Sequence, residues 1–267
     1  MAQPELHIVC AGEGAPVVLL HGLTATYRYV VMGSRALERS GHHVVSYDAR
    51  GHGTSDPAPD AGAYRYEDLA ADLLRVMDDT GFERAVLAGA SMGAHTALRV
   101  ALERPERVAG LVVITPAYDP RVEEDPADLA RWDALGDGLR SGGVEGFLAA
   151  YGVPDVPQAW RQTLLTVLRQ RLEGHAHPEA VADALHVVPR SRPFRALDEL
   201  ARIAVPTTVV ADRDEPDPGH PLAVGEAYAA AIPGAELIVE EPGRSPIAWQ
   251  GGQLSKVIAA VAGAAAA

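Results

Sequence analysis

The sequence predicts an α/β protein built on a parallel sheet. Short runs rich in Val, Ile and Leu, each bounded by Gly, Asp or Pro, recur along the chain and alternate with longer stretches of helical period. That alternation places helices between successive strands and so on the faces of one sheet. No internal repeat of solenoid or propeller period competes with this reading. The predicted strands are Leu6–Cys10, Pro16–Leu20, His43–Tyr47, Ala85–Ala88, Val108–Thr115, Thr207–Ala211 and Glu236–Val239. Helices are predicted at Tyr66–Thr80, Met92–Glu103 and Pro221–Ala231, with another beginning near Ile247. Gly12-Glu13-Gly14 lacks the third glycine and following helix of a dinucleotide site, and reads as a hairpin turn between the first two strands.

Between Asp119 and Pro206 the strand signal stops and several helices follow, broken at Gly-Asp-Gly, Ser-Gly-Gly, Gly-Val-Pro and Gly-His-Ala-His. Within Gln158–Leu172, apolar residues at Trp160, Leu164, Val167, Leu168 and Leu172 keep the 3.6-residue period. The expected organisation is an α/β core of residues 1–118 and 205–267 with a helical cap at 119–204. Trp132, Phe147, Trp160 and Phe194 fall in this insertion; their rings are expected to pack it on the sheet and, in part, to line an apolar pocket.

Composition narrows the class. The chain has 267 residues, 48% hydrophobic and 22% charged, which fits a folded domain and excludes a disordered one. Its 23 Lys and Arg against 36 Asp and Glu give −13, a field that repels phosphate backbones and anionic headgroups. The expected partner is a small-molecule substrate, with neither nucleic acid nor membrane. No standard signal peptide is expected from Met-Ala-Gln-Pro-Glu-Leu-His, and the single Cys10 fits a reducing compartment, so a cytoplasmic location is expected. Cys10 itself reads as a small buried hydrophobe. The apolar stretch Val257–Ala267 is too short for the roughly 20 residues of a bilayer span.

The most specific motif is Gly89-Ala90-Ser91-Met92-Gly93, which follows the run Ala85–Ala88 and opens a helical stretch. A serine on a sharp strand-to-helix turn stands above the sheet, and glycines on both sides leave room for the turn and for close helix packing. The amide of Met92, at a helix N-terminus, then faces the place where charge develops on a substrate carbonyl. After Pro16–Leu20 comes His21-Gly22-Leu23, where a second amide, that of Leu23, would complete an oxyanion hole. His21 and Gly22 would border the pocket. After His43–Tyr47 comes Asp48-Ala49-Arg50-Gly51-His52-Gly53-Thr54-Ser55-Asp56.

In this order, His-Gly, Asp-x-Arg-Gly-x-Gly-x-Ser-Asp and Gly-x-Ser-x-Gly, the chain resembles the α/β-hydrolase superfamily over essentially its whole length. The resemblance implies an eight-stranded sheet, a cap after the strand Val108–Thr115, a structural role for His21, no metal or organic cofactor, and a Ser, acid, His triad in that chain order. It puts the acid at Asp214, in the turn Asp212-Arg213-Asp214-Glu215-Pro216, with Asp212 and Asp119 as alternatives.

One position departs from the pattern. In the loop after the last strand, where the family carries its histidine, the sequence reads Glu241-Pro242-Gly243-Arg244, and no histidine follows His220. A guanidinium keeps its proton and cannot serve as base. Three accounts stand side by side. His220 could replace the missing imidazole; Arg244 could pair with Asp214 and act as an anion contact in lyase- or cyclase-like chemistry; or the pocket could bind a small ligand without turnover. The leading expectation is hydrolysis of a carboxylic ester or lactone of a small apolar substrate through Ser91, with an atypical triad. His175-Ala176-His177 has no third ligand nearby and reads as a loop rather than a metal site.

Overall fold

The computed structural model describes residues 3–123, 125–243 and 249–266. Its strands are β1 (Ile8–Ala11), β2 (Ala15–Leu20), β3 (His42–Tyr47), β4 (Ala85–Ala90), β5 (Val108–Ile114), β6 (Thr207–Ala211) and β7 (Glu236–Val239). The helices are α1 (Ala36–Arg39), α2 (Tyr66–Asp79), α3 (Met92–Glu103), α4 (Pro126–Tyr151), α5 (Gln158–Leu172), α6 (Pro178–Val187), α7 (Leu222–Ala231) and α8 (Gly251–Ala266). The sheet order is β1-β3-β2-β4-β5-β6-β7, with only β1 antiparallel to its neighbour. Among the described residues the sheet thus has seven strands, one fewer than the resemblance implied. The helix expected near Ile247 begins at Gly251; Ile247 lies outside the described residues.

The strands read as unbroken apolar runs because both faces of a parallel sheet are covered. Alternate residues separate cleanly. Val18, Leu20, Leu87, Val113 and Val209 pack with α2, α3 and α7 through Leu73, Leu98 and Tyr228. Val17, Leu19, Val86, Val112 and Val210 pack on the other face with Leu37 of α1 and Leu254, Ile258 and Val261 of α8. Each such side chain removed from water is worth about 1.5 to 3 kcal/mol.

The connection from β1 to β2 differs from the expected hairpin. β1 pairs with β3, Cys10 opposite Val45, so the chain must pass over the start of β3 before β2 begins. There the backbone runs so close that a Cβ at Gly12 would lie 2.3 Å from the His42 carbonyl oxygen, and one at Gly14 2.2 Å from that of Gly41. Both glycines serve this crossing. As an edge strand β1 also leaves Cys10 exposed rather than buried.

Between β5 and β6 lie α4, α5 and α6, followed by two short 3₁₀ turns. The break expected at Gly136-Asp137-Gly138 lies inside α4, whereas the one expected at Ser141-Gly142-Gly143 coincides with a bend of α4 at Gly143 (φ 60°). Leu135, Leu139, Phe147, Leu172, Val181 and Leu185 of this segment share one cluster with Leu23, Ala49 and Met92 of the α/β layer. Phe194 belongs instead to the sheet core, edge-on to Tyr118. No helix among the described residues is long and apolar enough to cross a membrane.

Candidate active site

Parallel neighbours bring the carboxyl ends of β2, β4, β5 and β6 together, Leu20 beside Gly89, Ala90 beside Ile114 and Ile114 beside Val210. Loops leaving those ends meet above the sheet, where ligands of open α/β sheets bind. Ser91 stands between β4 and α3 with φ 50° and ψ −112°, a conformation that costs a non-glycine residue on the order of 1 to 3 kcal/mol. The flanking glycines make the turn possible. A Cβ at Gly89 would lie 2.3 Å from the Gly93 backbone, and one at Gly93 2.3 Å from the Leu20 carbonyl oxygen. The turn is pinned by the Ser91 amide donating to the Ile114 carbonyl at 2.9 Å.

The imidazole that meets this serine is His220. Its Nε2 lies 2.9 Å from Ser91 Oγ, and its Nδ1 lies 2.7 Å from Asp217 Oδ2. In the neutral tautomer this fixes, Nδ1–H donates to the carboxylate and Nε2 accepts the serine proton. Both residues come from the β6–α7 loop, not from the loop after β7. Burial is the largest influence on the His220 ring and pulls its pKa down, but Asp217 and then Asp212 raise it above the ordinary value overall. For Asp217 burial pushes upward, and His220, helped by Arg171, holds the carboxyl below its usual range.

The carboxylate on the imidazole is therefore Asp217 and not Asp214. Asp214 Oδ1 accepts the Leu222 amide at 2.8 Å, satisfying a free N–H at the start of α7. Asp119, the other alternative, is taken up by Arg121. Asp212 is buried beneath the site; burial first, then Asp217 and Glu240, push its carboxyl up to about 7. Arg244 lies outside the described residues. The sequence held a signal for the actual pair: Asp217-Pro218-Gly219-His220 carries the Gly-His dipeptide expected after the last strand, one loop earlier.

The turn after β2 abuts the serine, since a Cβ at Gly22 would lie 3.6 Å from Ser91 Cβ. Leu23 packs in the same cluster as Met92, the first residue of α3, whose amide has no acceptor within the helix. His52 Nε2 holds the Leu23 carbonyl at 2.5 Å. His21 is locked: its Nε2 accepts the Ala49 amide at 2.9 Å, so Nδ1–H donates to the Gly22 carbonyl at 2.8 Å. Burial, with His52 adding to it, holds this ring well below its ordinary pKa. The Asp-x-Arg-Gly motif braces the same loops. Asp48 accepts the amides of Tyr27 and Thr54, Ser55 Oγ donates to the Asp48 carbonyl, and Arg50 forks onto Asp72.

Of the expected pocket aromatics, Trp132 is half-buried against the cluster that holds Leu23 and Met92, and Phe147 is buried within it, stacked on Tyr151. Trp160, partly exposed on α5, lies outside that cluster. His175, expected in a plain loop, ties the helical segment down, with Nδ1 accepting the Gly53 amide and Nε2–H donating to the Thr24 carbonyl. Among the described residues no three His, Cys, Asp or Glu side chains are grouped to hold a metal ion. A cleft of about 920 Å³ lined by Arg65, Arg99 and Arg190 contains none of the residues around Ser91.

The family model described as the alpha/beta hydrolase fold matches residues 15–184. The chain belongs to the α/β-hydrolase fold family. It is 30% identical over 207 residues to the putative carbamate hydrolase RutD of Variovorax paradoxus, covering 76% of this chain and 75% of that protein. It is 31% identical over 243 residues to the 2-hydroxy-6-oxononadienedioate/2-hydroxy-6-oxononatrienedioate hydrolase 2 of Pseudomonas putida, covering 88% and 83%. A solved structure of a thermophilic esterase from Thermogutta terrifontis, with malate bound, superposes with a TM-score of 0.74 at 25% identity, covering 97% and 90%. These relatives support an enzyme, a hydrolase of this fold acting on small molecules.

Proposed function

We propose that this hydrolase cleaves a carboxylic ester or lactone of a small molecule, with Ser91 as nucleophile, His220 as general base and Asp217 as the acid that orients it. The observation that carries the reading is the 2.9 Å contact between His220 Nε2 and Ser91 Oγ. Oγ attacks the substrate carbonyl carbon while its proton moves to Nε2. The resulting oxyanion is held by the Leu23 and Met92 amides, and Asp217 stabilises the imidazolium. Nε2 then returns the proton to the departing alkoxide, leaving an acyl ester on Ser91. Water, deprotonated by the same nitrogen, releases the acid and restores the serine. The helical segment 119–204 acts as a cap, its apolar residues packed with Leu23 and Met92 beside the serine. With an imidazole at hydrogen-bond distance, a role for Arg244 in its place is not needed.

The test is covalent. A fluorophosphonate probe should modify Ser91 in the wild-type protein, located by peptide mass spectrometry, and modify it slowly in His220→Ala. p-Nitrophenyl acetate hydrolysis that persists in Ser91→Ala would refute the proposal.

A further inference from the structure

α5 carries two arginines near its end with different surroundings. Arg169 points to solvent and pairs with Glu145 of α4. Arg171, two positions and about 200° further round the helix, turns inward. Its guanidinium carbon lies 5.3 Å from the centroid of the Tyr29 ring, and its Nε is buried without a hydrogen-bond partner. Among the described residues it forms no ion pair, in contrast to the buried Arg50, which is gripped by Asp72. The side chain is half-buried, and a buried guanidinium N–H left without an acceptor is costly, so the position suits a ligand that supplies one. Burial accordingly pulls the Arg171 guanidinium below its ordinary pKa.

Its place is beside the reaction centre. The next residue, Leu172, packs in one cluster with Leu23 and Met92, the two proposed oxyanion donors. Gly174 lies against Thr26, and His175 bonds to Thr24, so the end of α5 sits over the loop that leaves the oxyanion turn. Asp217, whose carboxyl feels the Arg171 charge, is already committed to His220. In a protein of net charge −13 an anionic substrate is repelled by the general field and needs a fixed local cation. A guanidinium held over a ring can still offer its N–H edge to a carboxylate in two hydrogen bonds.

We propose that Arg171 is an anion subsite of the Ser91 pocket and that the natural ester or lactone carries a free carboxylate. The inference rests on the reading of Ser91 as nucleophile, but its binding half can be measured without turnover. Wild-type protein should hydrolyse mono-p-nitrophenyl glutarate with kcat/KM about 10- to 100-fold above that for p-nitrophenyl butyrate, the span expected of a charge-assisted contact. In Arg171→Met that preference should vanish, mainly through KM, and in Arg171→Lys it should be partly kept. Glutarate, which has no bond to cleave, should bind the wild-type protein in calorimetry at least tenfold more tightly than Arg171→Met. Equal wild-type rates on the two esters, or glutarate binding indifferent to Arg171→Met, overturns the proposal. If Arg171→Met does not fold, the wild-type ratio and Arg171→Lys decide. Glutarate binding that depends on Arg171 with neither ester cleaved would sink the hydrolytic reading alone; butyrate ester cleavage without any carboxylate preference would sink the subsite alone.

Discussion

Asp217 and His220 are three residues apart and joined side chain to side chain at 2.7 Å, so one short loop supplies both the imidazole facing Ser91 and the carboxylate that orients it. This yields a direct discrimination among four acids crowded into residues 212–217. Asp217→Asn should lower kcat by about 10⁴, as the ring loses the partner that sets its tautomer. His220→Ala should cost about 10⁶. Asp214→Asn, whose oxygen serves the Leu222 amide, should leave turnover within about threefold. Steady-state kinetics on a p-nitrophenyl ester decides, and equal losses in the two aspartate variants would reject the assignment.

The pH profile follows from the surroundings of the same ring. A base must be neutral, so kcat/KM should rise with pH through the His220 pKa of the free enzyme, at a midpoint above that of an ordinary imidazole. Asp217 and Asp212 raise that pKa while Arg171 lowers it. The midpoint should therefore move down in Asp212→Asn and up in Arg171→Met. Profiles between pH 5 and 9 measure both shifts; displacement in the same direction would contradict the electrostatic account.

Much of this architecture is legible before any coordinates. Strands such as Val17–Leu20 and Leu111–Ile114 are covered on both sides, so they appear as continuous apolar runs with sharp borders. The serine turn is equally local, since its glycines are demanded by atoms within a few residues or on the adjoining strand. What is not local is not legible there. Choosing Asp217 over Asp214 depends on how the loop from β6 folds, and an acidic run offers each carboxylate on equal terms. The family pattern places the histidine after β7, and His220 stands only as one of three accounts because nothing local in the sequence shows that the loop after β6 reaches the same rim. Arg171 looks like any solvated helix charge until the packing of α5 on the loop at Tyr29 is known. The pairing of β1 with β3 is hidden likewise, because Gly12 and Gly14 suit a hairpin and a crossing alike.

The Arg50–Asp72 fork is a structural commitment that predicts a large stability effect. Arg50 donates to Asp72 through Nε at 2.7 Å and a second nitrogen at 2.9 Å, with both side chains buried, and it also holds the Ala63 carbonyl. Arg50→Met would leave Asp72 enclosed with only Arg75 at 3.1 Å. We expect a loss of about 3 kcal/mol in urea unfolding at pH 7.5. Arg50→Met combined with Asp72→Leu should recover most of it, because no unpaired charge then remains. A single variant within about 1 kcal/mol of wild type would show that the fork contributes little.

Buried histidines that resist a proton set the acid limit, and His95 and His175 join His21 and His52 among them. His95 accepts the amides of Ala117 and Tyr118 at 3.3 Å each, and His175 accepts that of Gly53 at 2.8 Å. A proton on the accepting nitrogen would face an N–H donor, and burial foremost holds both rings at about 3. Below about 6.5 the unfolded chain takes up protons that the folded one refuses, so stability present at neutral pH is lost as pH falls toward 3. At pH 5 the loss is on the order of 2 kcal/mol for each ring. His175→Gln keeps an acceptor for Gly53 but cannot titrate; its urea midpoint should fall less steeply than wild type between pH 7.5 and 5. Because His175 fastens the helical segment to the loops at Thr24 and Gly53, wild-type protein held at pH 5 and assayed at pH 7.5 should lose activity before the far-ultraviolet signal of the sheet and its helices decays. Parallel slopes in the two proteins would show that other groups govern the acid transition.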